Sequence, residues 1–533
     1  MWNSSGCGLN SSVLDAFDFS DHPVHFEIPS PLKLFSYGEG ELNQKWTHYL
    51  SGMKILKILL LSTVFTTTTS QAENYPNLND DGEFSLMGAL SDLGLHNLQD
   101  ERWNLYSQGT YISSFKQAFP AAYTNLNGSP NSLSPDAERG FTGTVTFYAG
   151  LKGWTGAEFY VAPEMISERP LSGLKGIGGA IQNFELQKNG TAHSTWYPSR
   201  AIYRQTLSFG GKQNSVNSGP MQLAGTVDSR RFVFTAGTFS ILDMFDKNTY
   251  AGDLRRQFVN MAFLTNAAYD FAADARGYTT GLVGEFYFDD WAFRFARIAG
   301  PKNPNDLFLN FQMLSNYGDQ VELEHKHVIK GQPGAIKILG YRNQEKSGSY
   351  TDAIAAFQAD PAKNATTCTG YNYDSGNASA PDLCWARKSN IKMGIGINME
   401  QRITEDVGLF FRGMYSDGRT EVYSYVPADR SLSFGAAVKG FRWGRGKDTV
   451  GLGYGQSWIS KQHADYLNMG GIDGFIGDGK INVKPEQVVD IYYQWHVVKS
   501  AWLTFDYQYL ANPAFNADRG PVNIYNARVH FEF

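Results

Sequence analysis

The chain closes on Tyr525-Asn526-Ala527-Arg528-Val529-His530-Phe531-Glu532-Phe533, and this stretch decides the fold. Tyr525, Ala527, Val529, Phe531 and Phe533 fall on one face; Asn526, Arg528, His530 and Glu532 fall on the other. A period of two means a strand with one apolar side. The preceding segment repeats the pattern, with Ala501, Leu503, Phe505, Tyr507 and Tyr509 opposing Trp502, Thr504, Asp506 and Gln508. So does the one before it, where Val489, Ile491, Tyr493, Trp495 and Val497 oppose Asp490, Gln494 and His496.

Composition says why such strands need a membrane. The 533 residues include 36 Phe, 29 Tyr, 11 Trp and 55 Gly, and only 18% are charged, against roughly 25% for soluble proteins. No run approaches the ~18 consecutive apolar residues of a membrane helix. The net charge of -6, without a Lys/Arg cluster, leaves nucleic acid no electrostatic footprint. Apolar residues that alternate with polar ones fit a barrel with lipid outside and water inside.

Continuing toward the amino end, strands are expected near residues 102–115, 141–150, 154–162, 200–209, 231–240, 281–288, 291–299, 320–329, 335–343, 391–401, 408–417, 431–441, 449–459, 487–497, 501–510 and 521–533. The connections alternate short and long: 151–153, 289–290, 330–334, 403–406, 444–447 and 498–500 are tight. Transmembrane barrels have short periplasmic turns and long outer loops. The fold expected is therefore all-β, a sixteen-strand antiparallel transmembrane barrel, wide enough for an aqueous channel. Only the connection 210–230 is long for the periplasmic side. A soluble β-sandwich would also alternate, but it would not sustain this loop asymmetry.

At the amino end, Lys54 and Lys57, the apolar run Ile58 to Phe65 and Ser70-Gln71-Ala72 have the order of a secretory signal. Residues 1–52 read as an upstream extension outside the native protein, 53–72 as the signal, 73–101 as a short periplasmic segment with a small helix near Met87 to Leu98, and 102–533 as the barrel. Cys7 is then discarded with the extension. Cys368 and Cys384 fall in one outer loop of an oxidising compartment and are expected to form a disulfide, worth about 3 kcal/mol by the chain-entropy model.

The third outer loop, 241–280, interleaves Asp243, Asp246, Asp253, Arg255, Arg256, Asp270, Asp274 and Arg276 with Phe245, Phe258, Phe263, Tyr269 and Phe271. Folded into the lumen, its aromatics would pack against the wall and its charges would set a constriction; the alternative is an extracellular lid. On the strands, alternation points Glu158, Arg204, Arg294, Arg342 and Arg412 inward, since each would cost ~2 to 4 kcal/mol in lipid. Any wide lumen is charged, so no single one of these need bind anything. Catalytic chemistry finds no footing: His325 and His327 lack a third ligand, Gly470-Gly471-Ile472-Asp473-Gly474 reads as turn, and no nucleophile or metalloprotease motif occurs. Neither enzyme activity, cofactor nor metal is expected.

Several pieces taken together resemble a known family. Arg256-Gln257-Phe258-Val259-Asn260 and Tyr269-Asp270-Phe271-Ala272-Ala273-Asp274-Ala275-Arg276-Gly277-Tyr278 are similar to the third-loop region of carbohydrate-selective, OprB-like porins of Gram-negative outer membranes. Asp243-Met244-Phe245-Asp246, Gly340-Tyr341-Arg342-Asn343, Gly348-Ser349-Tyr350, Asp417-Gly418, Gly477-Asp478-Gly479 and Asn512-Pro513 follow in order, and Phe533 resembles the terminal aromatic that such barrels present to their assembly machinery. The resemblance implies a third loop folded into the lumen and facilitated diffusion of sugars. The constriction would be built from Asp253, Arg255, Arg256, Asp274 and Arg276 on that loop and Glu158, Arg204, Arg294, Arg342 and Arg412 on the wall. A general or small hydroxy-acid pore without sugar selectivity is the alternative. Expected partners are sugars, outer-membrane lipid and lipopolysaccharide, with the barrel a monomer or homotrimer.

Overall fold

The computed structural model describes residues 85–186, 191–362, 379–424 and 426–533. The upstream extension, the signal segment and Cys368 lie outside the described residues. Sixteen long strands cross: β1 Trp103–Lys116, β2 Glu138–Lys152, β3 Ala157–Arg169, β4 Thr195–Ser208, β5 Arg230–Phe239, β6 Thr279–Phe288, β7 Trp291–Pro301 and β8 Tyr317–Ile329. They continue as β9 Gln332–Gly348, β10 Arg387–Arg402, β11 Val407–Ser416, β12 Arg430–Gly440, β13 Arg445–Trp458, β14 Glu486–Val498, β15 Ala501–Ala511 and β16 Val522–Glu532. Each pairs antiparallel with the next, and β1 pairs with β16 from Gln108↔Glu532 to Lys116↔Ile524, closing the barrel. Closure leaves no unpaired edge, the condition for strands in lipid. Among the described residues no helix is long and apolar enough to cross a membrane.

Alternation holds along the closing strand: Asn526, Arg528 and His530 are buried inside, while Tyr525, Val529 and Phe531 stand exposed outside. The periplasmic turns are tight. In Lys330-Gly331 both residues take positive φ, 52° and 78°, as a two-residue hairpin requires. Strands exceed expectation mainly at their outer ends, β9 reaching Gly348 and β10 starting at Arg387. There the ladder continues through polar residues above the lipid, where alternation no longer marks one face.

The long connection after β4 folds into a hairpin, Gln213–Val216 with Gly225–Asp228. Its tip turns toward the lumen: Leu223 N–H donates to the Tyr160 hydroxyl at 3.0 Å, and the Met221 carbonyl accepts from Arg204 at 3.1 Å. The amino-terminal segment joins it, since Ala224 N–H donates to Glu101 at 2.8 Å. Helix α1, Leu86–Asp92, is capped by Ser85 and buries Met87. The length of the 210–230 connection follows: its hairpin is part of the periplasmic mouth.

Candidate functional site: the third loop and the lumen

Residues 240–278 leave β5 and return to β6 after crossing the barrel. The path is fixed by inward side chains of distant strands. Glu322 on β8 accepts from Asp246 N–H at 2.7 Å, Asn398 on β10 donates to Asp246, and Gln494 on β14 and Arg528 on β16 donate to the carbonyls of Arg256 and Leu254, each at 2.6 Å. Lys392 on β10 pairs with Asp270 at 2.9 Å. Burial works against the Asp270 carboxylate, but Lys392 and the Tyr423 and Ser424 amides hold its pKa below the usual range.

The loop aromatics explain why it lies flush. Phe258 packs against Phe263, Phe410 and Tyr492 with ring centroids 4.9, 5.5 and 4.8 Å apart. The one-turn helix α2, Met261–Leu264, approaches β13 at Gly453, where a Cβ would come within 2.6 Å of the Phe263 ring. Only glycine leaves that space.

The expected site residues separate into four groups. Arg255 stays partly open to the lumen, between Glu164 at 3.3 Å and Glu185 at 3.1 Å. Burial disfavours its charged form, but Glu185, Tyr148 and Glu164 outweigh this and raise its pKa. Arg276 stands over the Tyr197 ring at 4.7 Å. Asp253 and Asp274 accept from the backbone N–H of Arg255 and Arg276, both at 2.9 Å, and shape the loop turns.

Glu158 and Arg204 pair at 3.5 Å, with Arg204 also over the Tyr160 ring at 5.0 Å. They line a cavity of about 1540 Å³ at the periplasmic mouth, together with Lys247, Lys337 and Glu400. Arg294 faces the same cavity but is held by three carboxylates, Glu285 at 3.0 Å, Glu322 at 2.8 Å and Glu324 at 2.7 Å.

Arg256 and Arg412 are buried rather than water-facing. Arg256 lies over the Trp502 ring at 4.1 Å and pairs with Glu532 at 3.8 Å. Arg412 donates to the carbonyls of Ala251 at 2.7 Å and Phe263 at 2.5 Å and pairs with Asp246 at 3.2 Å. Both anchor the loop.

Arg342 does not point inward. It shares the outer face of β9 with Ile336 and Ile338, and Lys337, Leu339 and Tyr341 take the inside. Its cost in lipid is avoided differently: the apolar stripe ends below it, and it sits level with Asp319 and near the Tyr317 ring, 5.7 Å away.

A further cluster escaped the sequence reading. Arg200 on β4 pairs with Asp243 through two bonds, 2.7 and 2.6 Å, and lies over Tyr278 at 5.4 Å. Tyr197 and Tyr278 both donate to Glu164. Partial burial works against Asp243, yet Arg200 holds its pKa below the usual carboxylate range. Arg200 shares the inner face with Arg204; a bulge at Ala162/Pro163 then shifts the β3–β4 register and turns Tyr197 inside as well, and β3 continues past Pro163 to deliver Glu164. The strand expected near 154–162 thus runs on to Arg169, and Pro198 is the sequence signal of the bulge.

Above the third loop, the outer loops pack on one another through His463 of α4, Lys461–Asn468. Its ring nitrogens meet Asp429 at 3.1 Å and Asp473 at 3.2 Å, and it stacks at 4.4 Å on Tyr350, the first residue of α3, Tyr350–Ala359. Burial alone would lower the His463 pKa, but Asp429 and Asp473 push it up to about 9. A raised folded-state pKa gives stability that is fully present below the unfolded value near 6.5 and is lost as pH rises through 9. Amide exchange over residues 461–480 should therefore be slow at pH 7 and faster at pH 10, beyond the intrinsic base effect. In His463→Asn that extra step should vanish; an unchanged step in this variant would contradict the assignment.

A closed sixteen-strand barrel with an apolar exterior, long outer loops and a charged interior defines an outer-membrane porin. The family model for carbohydrate-selective porins, the OprB family, matches residues 148–533, and the chain belongs to that family. The high-pH structure of Pseudomonas putida OprB superposes with a TM-score of 0.60 at 14% identity, covering 84% of this chain and 96% of that one. OmpT of Vibrio cholerae, in its in-vitro folded trimer form, gives 0.41 at 10% identity, covering 81% and 99%. No curated protein matches by sequence.

Proposed function

We propose that this porin passes carbohydrates by facilitated diffusion through a charged, aromatic-lined constriction between the third loop and β3–β4. The observation that carries this reading is the grouping of Arg255, Arg200, Asp243 and Glu164 with Tyr197 and Tyr278 at one place on the inner wall. A sugar offers hydroxyls that donate and accept and C–H faces that lie against aromatic rings. Arginine forks donate to several hydroxyls at once, and carboxylates both accept and hold the arginines in place. Arg276 over Tyr197, and Asp253 and Asp274 behind the loop turns, belong to the same edge of the opening. Glu158, Arg204 and Arg294 would receive the solute in the periplasmic mouth.

Liposome swelling with sugars of increasing size tests this. Monosaccharides should enter fast and larger oligosaccharides progressively more slowly; no swelling with any sugar would reject the channel.

The outer loop between β9 and β10 is proposed to be closed on itself by a Cys368–Cys384 disulfide, with Cys384 in the short turn Leu383–Ala386 before β10. Peptide mapping without reductant should recover the two cysteines in one cross-linked peptide that reduction separates. Two alkylatable thiols would contradict it.

A further inference from the structure

Three buried side chains at the outer end of β7–β9 present oxygens that no donor reaches. Asn316, just before β8, and Asn343 and Glu345 on β9 are 5%, 1% and 2% exposed. Among the described residues, Asn316 Oδ1, Asn343 Oδ1 and Glu345 Oε1 have no hydrogen-bond partner. The strand register brings them together: Gly318 pairs with Asn343 and Tyr317 with Gln344, which sets Asn316 level with Glu345. A Cβ on Gly300 would come within 2.6 Å of both Asn316 Oδ1 and Glu345 Oε1, and one on Gly318 within 2.9 Å of Asn343 Oδ1. The two glycines thus give the three oxygens a common floor.

Neither amide can turn to relieve this. Asn343 Nδ2 donates to the Asp270 carbonyl at 2.6 Å, where an oxygen would be repelled. Tyr423 gives its hydroxyl proton to the Pro301 carbonyl at 2.8 Å, so toward Asn316, at 3.3 Å, the same hydroxyl accepts and the amide must present its nitrogen. Both Oδ1 atoms are therefore fixed in place. The Glu345 charge is also unmet, because the cation that acts on it, Lys392, is paired with Asp270 at 2.9 Å. A water molecule has two protons to give, so it would serve two of the three oxygens and leave the charge.

We infer that Asn316, Asn343 and Glu345 form a binding site for a calcium-class cation on the outer side of the barrel. A carboxylate beside amide carbonyl oxygens is the donor set of a hard cation, which takes roughly six to eight oxygens with water completing the shell. A proton on Glu345 is the rival. Burial pushes this carboxyl's pKa up, but the neutral form would donate to one Oδ1 and leave the other unmet. The position gives the ion a use. Tyr423 N–H donates to Asp270 of the third loop at 2.8 Å, and the Tyr423 carbonyl accepts from Asn305 N–H at 2.6 Å. The ion therefore fixes the point where the loops 302–316 and 417–429 hold the third loop from above.

Terbium luminescence of the purified barrel in detergent, excited through tyrosine, tests this with the metal alone. Tb3+ should give saturable emission in the wild type, with Tyr423 beside the site as sensitiser. Ca2+ should displace it with a dissociation constant of about 0.1 to 1 mM, the range of extracellular calcium sites, and Mg2+, which dehydrates reluctantly, should not. Glu345→Gln, whose amide can donate to an asparagine oxygen, should close its barrel as judged by heat-modifiable migration on gels and raise that constant about tenfold or more. Asp319→Asn, where the carboxylate pairs with Arg297 on the outer face, should leave it unchanged. In the wild type Ca2+ should also slow amide exchange over residues 299–306 and 420–424, an effect lost in Glu345→Gln. Emission that is absent or not displaced by Ca2+, displacement unaltered in Glu345→Gln, or displacement without slower exchange in these segments would each overturn the inference.

Discussion

Replacing Arg412 by Ala should raise single-channel conductance and abolish any dependence of the current on sugar, while the barrel still closes. Arg412 is fully buried and bonds the carbonyls of Ala251 and Phe263, which lie twelve residues apart on the third loop, as well as Asp246. Removing it leaves Asp246 short of its cation and two buried carbonyls unpaired, a loss of about 3 to 5 kcal/mol. The barrel ladder does not pass through Arg412's side chain, so the cost falls on the loop, whose remaining ties at Glu322, Asn398 and Gln494 must hold it alone. Arg412→Lys keeps a charge for Asp246 but cannot reach both carbonyls, and should fall between. Unchanged conductance in Arg412→Ala would mean that the loop is held in place without this strut.

The second large effect concerns selectivity. Arg255→Ala takes a cation from between Glu164 and Glu185 and should shift the reversal potential in a salt gradient toward cation preference. Loss of a charge-assisted contact of this kind is worth about 1.5 to 3 kcal/mol, so sugar affinity should fall on the order of tenfold or more. Glu164 still receives bonds from Thr146, Tyr197 and Tyr278, and Glu185 from Thr144 at 2.6 Å, which should preserve the fold. The double variant Arg255→Ala/Glu185→Gln separates the two effects, since it removes one anion with the cation. Ion preference should return toward the wild-type value, and sugar affinity should stay low. Recovery of both together would assign the sugar effect to charge alone.

The barrel was legible because lipid enforces period two over ten residues at a time, as Tyr525 to Phe533 illustrates. The third loop's importance was also legible, because Phe258, Phe263, Tyr269 and Phe271 have no reason to be in a solvated loop. What each charged residue does there was not. Arg412 and Arg255 are both arginines facing the interior, and only the loop's path makes one a buried strut and the other a lumen group. A charge on a strand is no sure sign of the lumen: Arg342 faces outward, because an outward arginine is tolerated once the strand rises past the apolar band. Tyr197 was hidden by the β3–β4 bulge, a one-residue slip that inverts the face of everything beyond it, whereas Arg200 shares the face of Arg204 and follows from the same alternation.

Single-channel current through the purified barrel in a planar bilayer, recorded over a concentration series of glucose and longer sugars, tests the central claim most directly. A sugar that rests at the group formed by Arg255, Arg200, Asp243 and Tyr197 must occlude ions while it is there. The current should fall saturably with sugar concentration, with an affinity that differs between sugars and weakens in Arg255→Ala. A current that falls only in proportion to bulk viscosity, alike for every sugar and for both proteins, would contradict it.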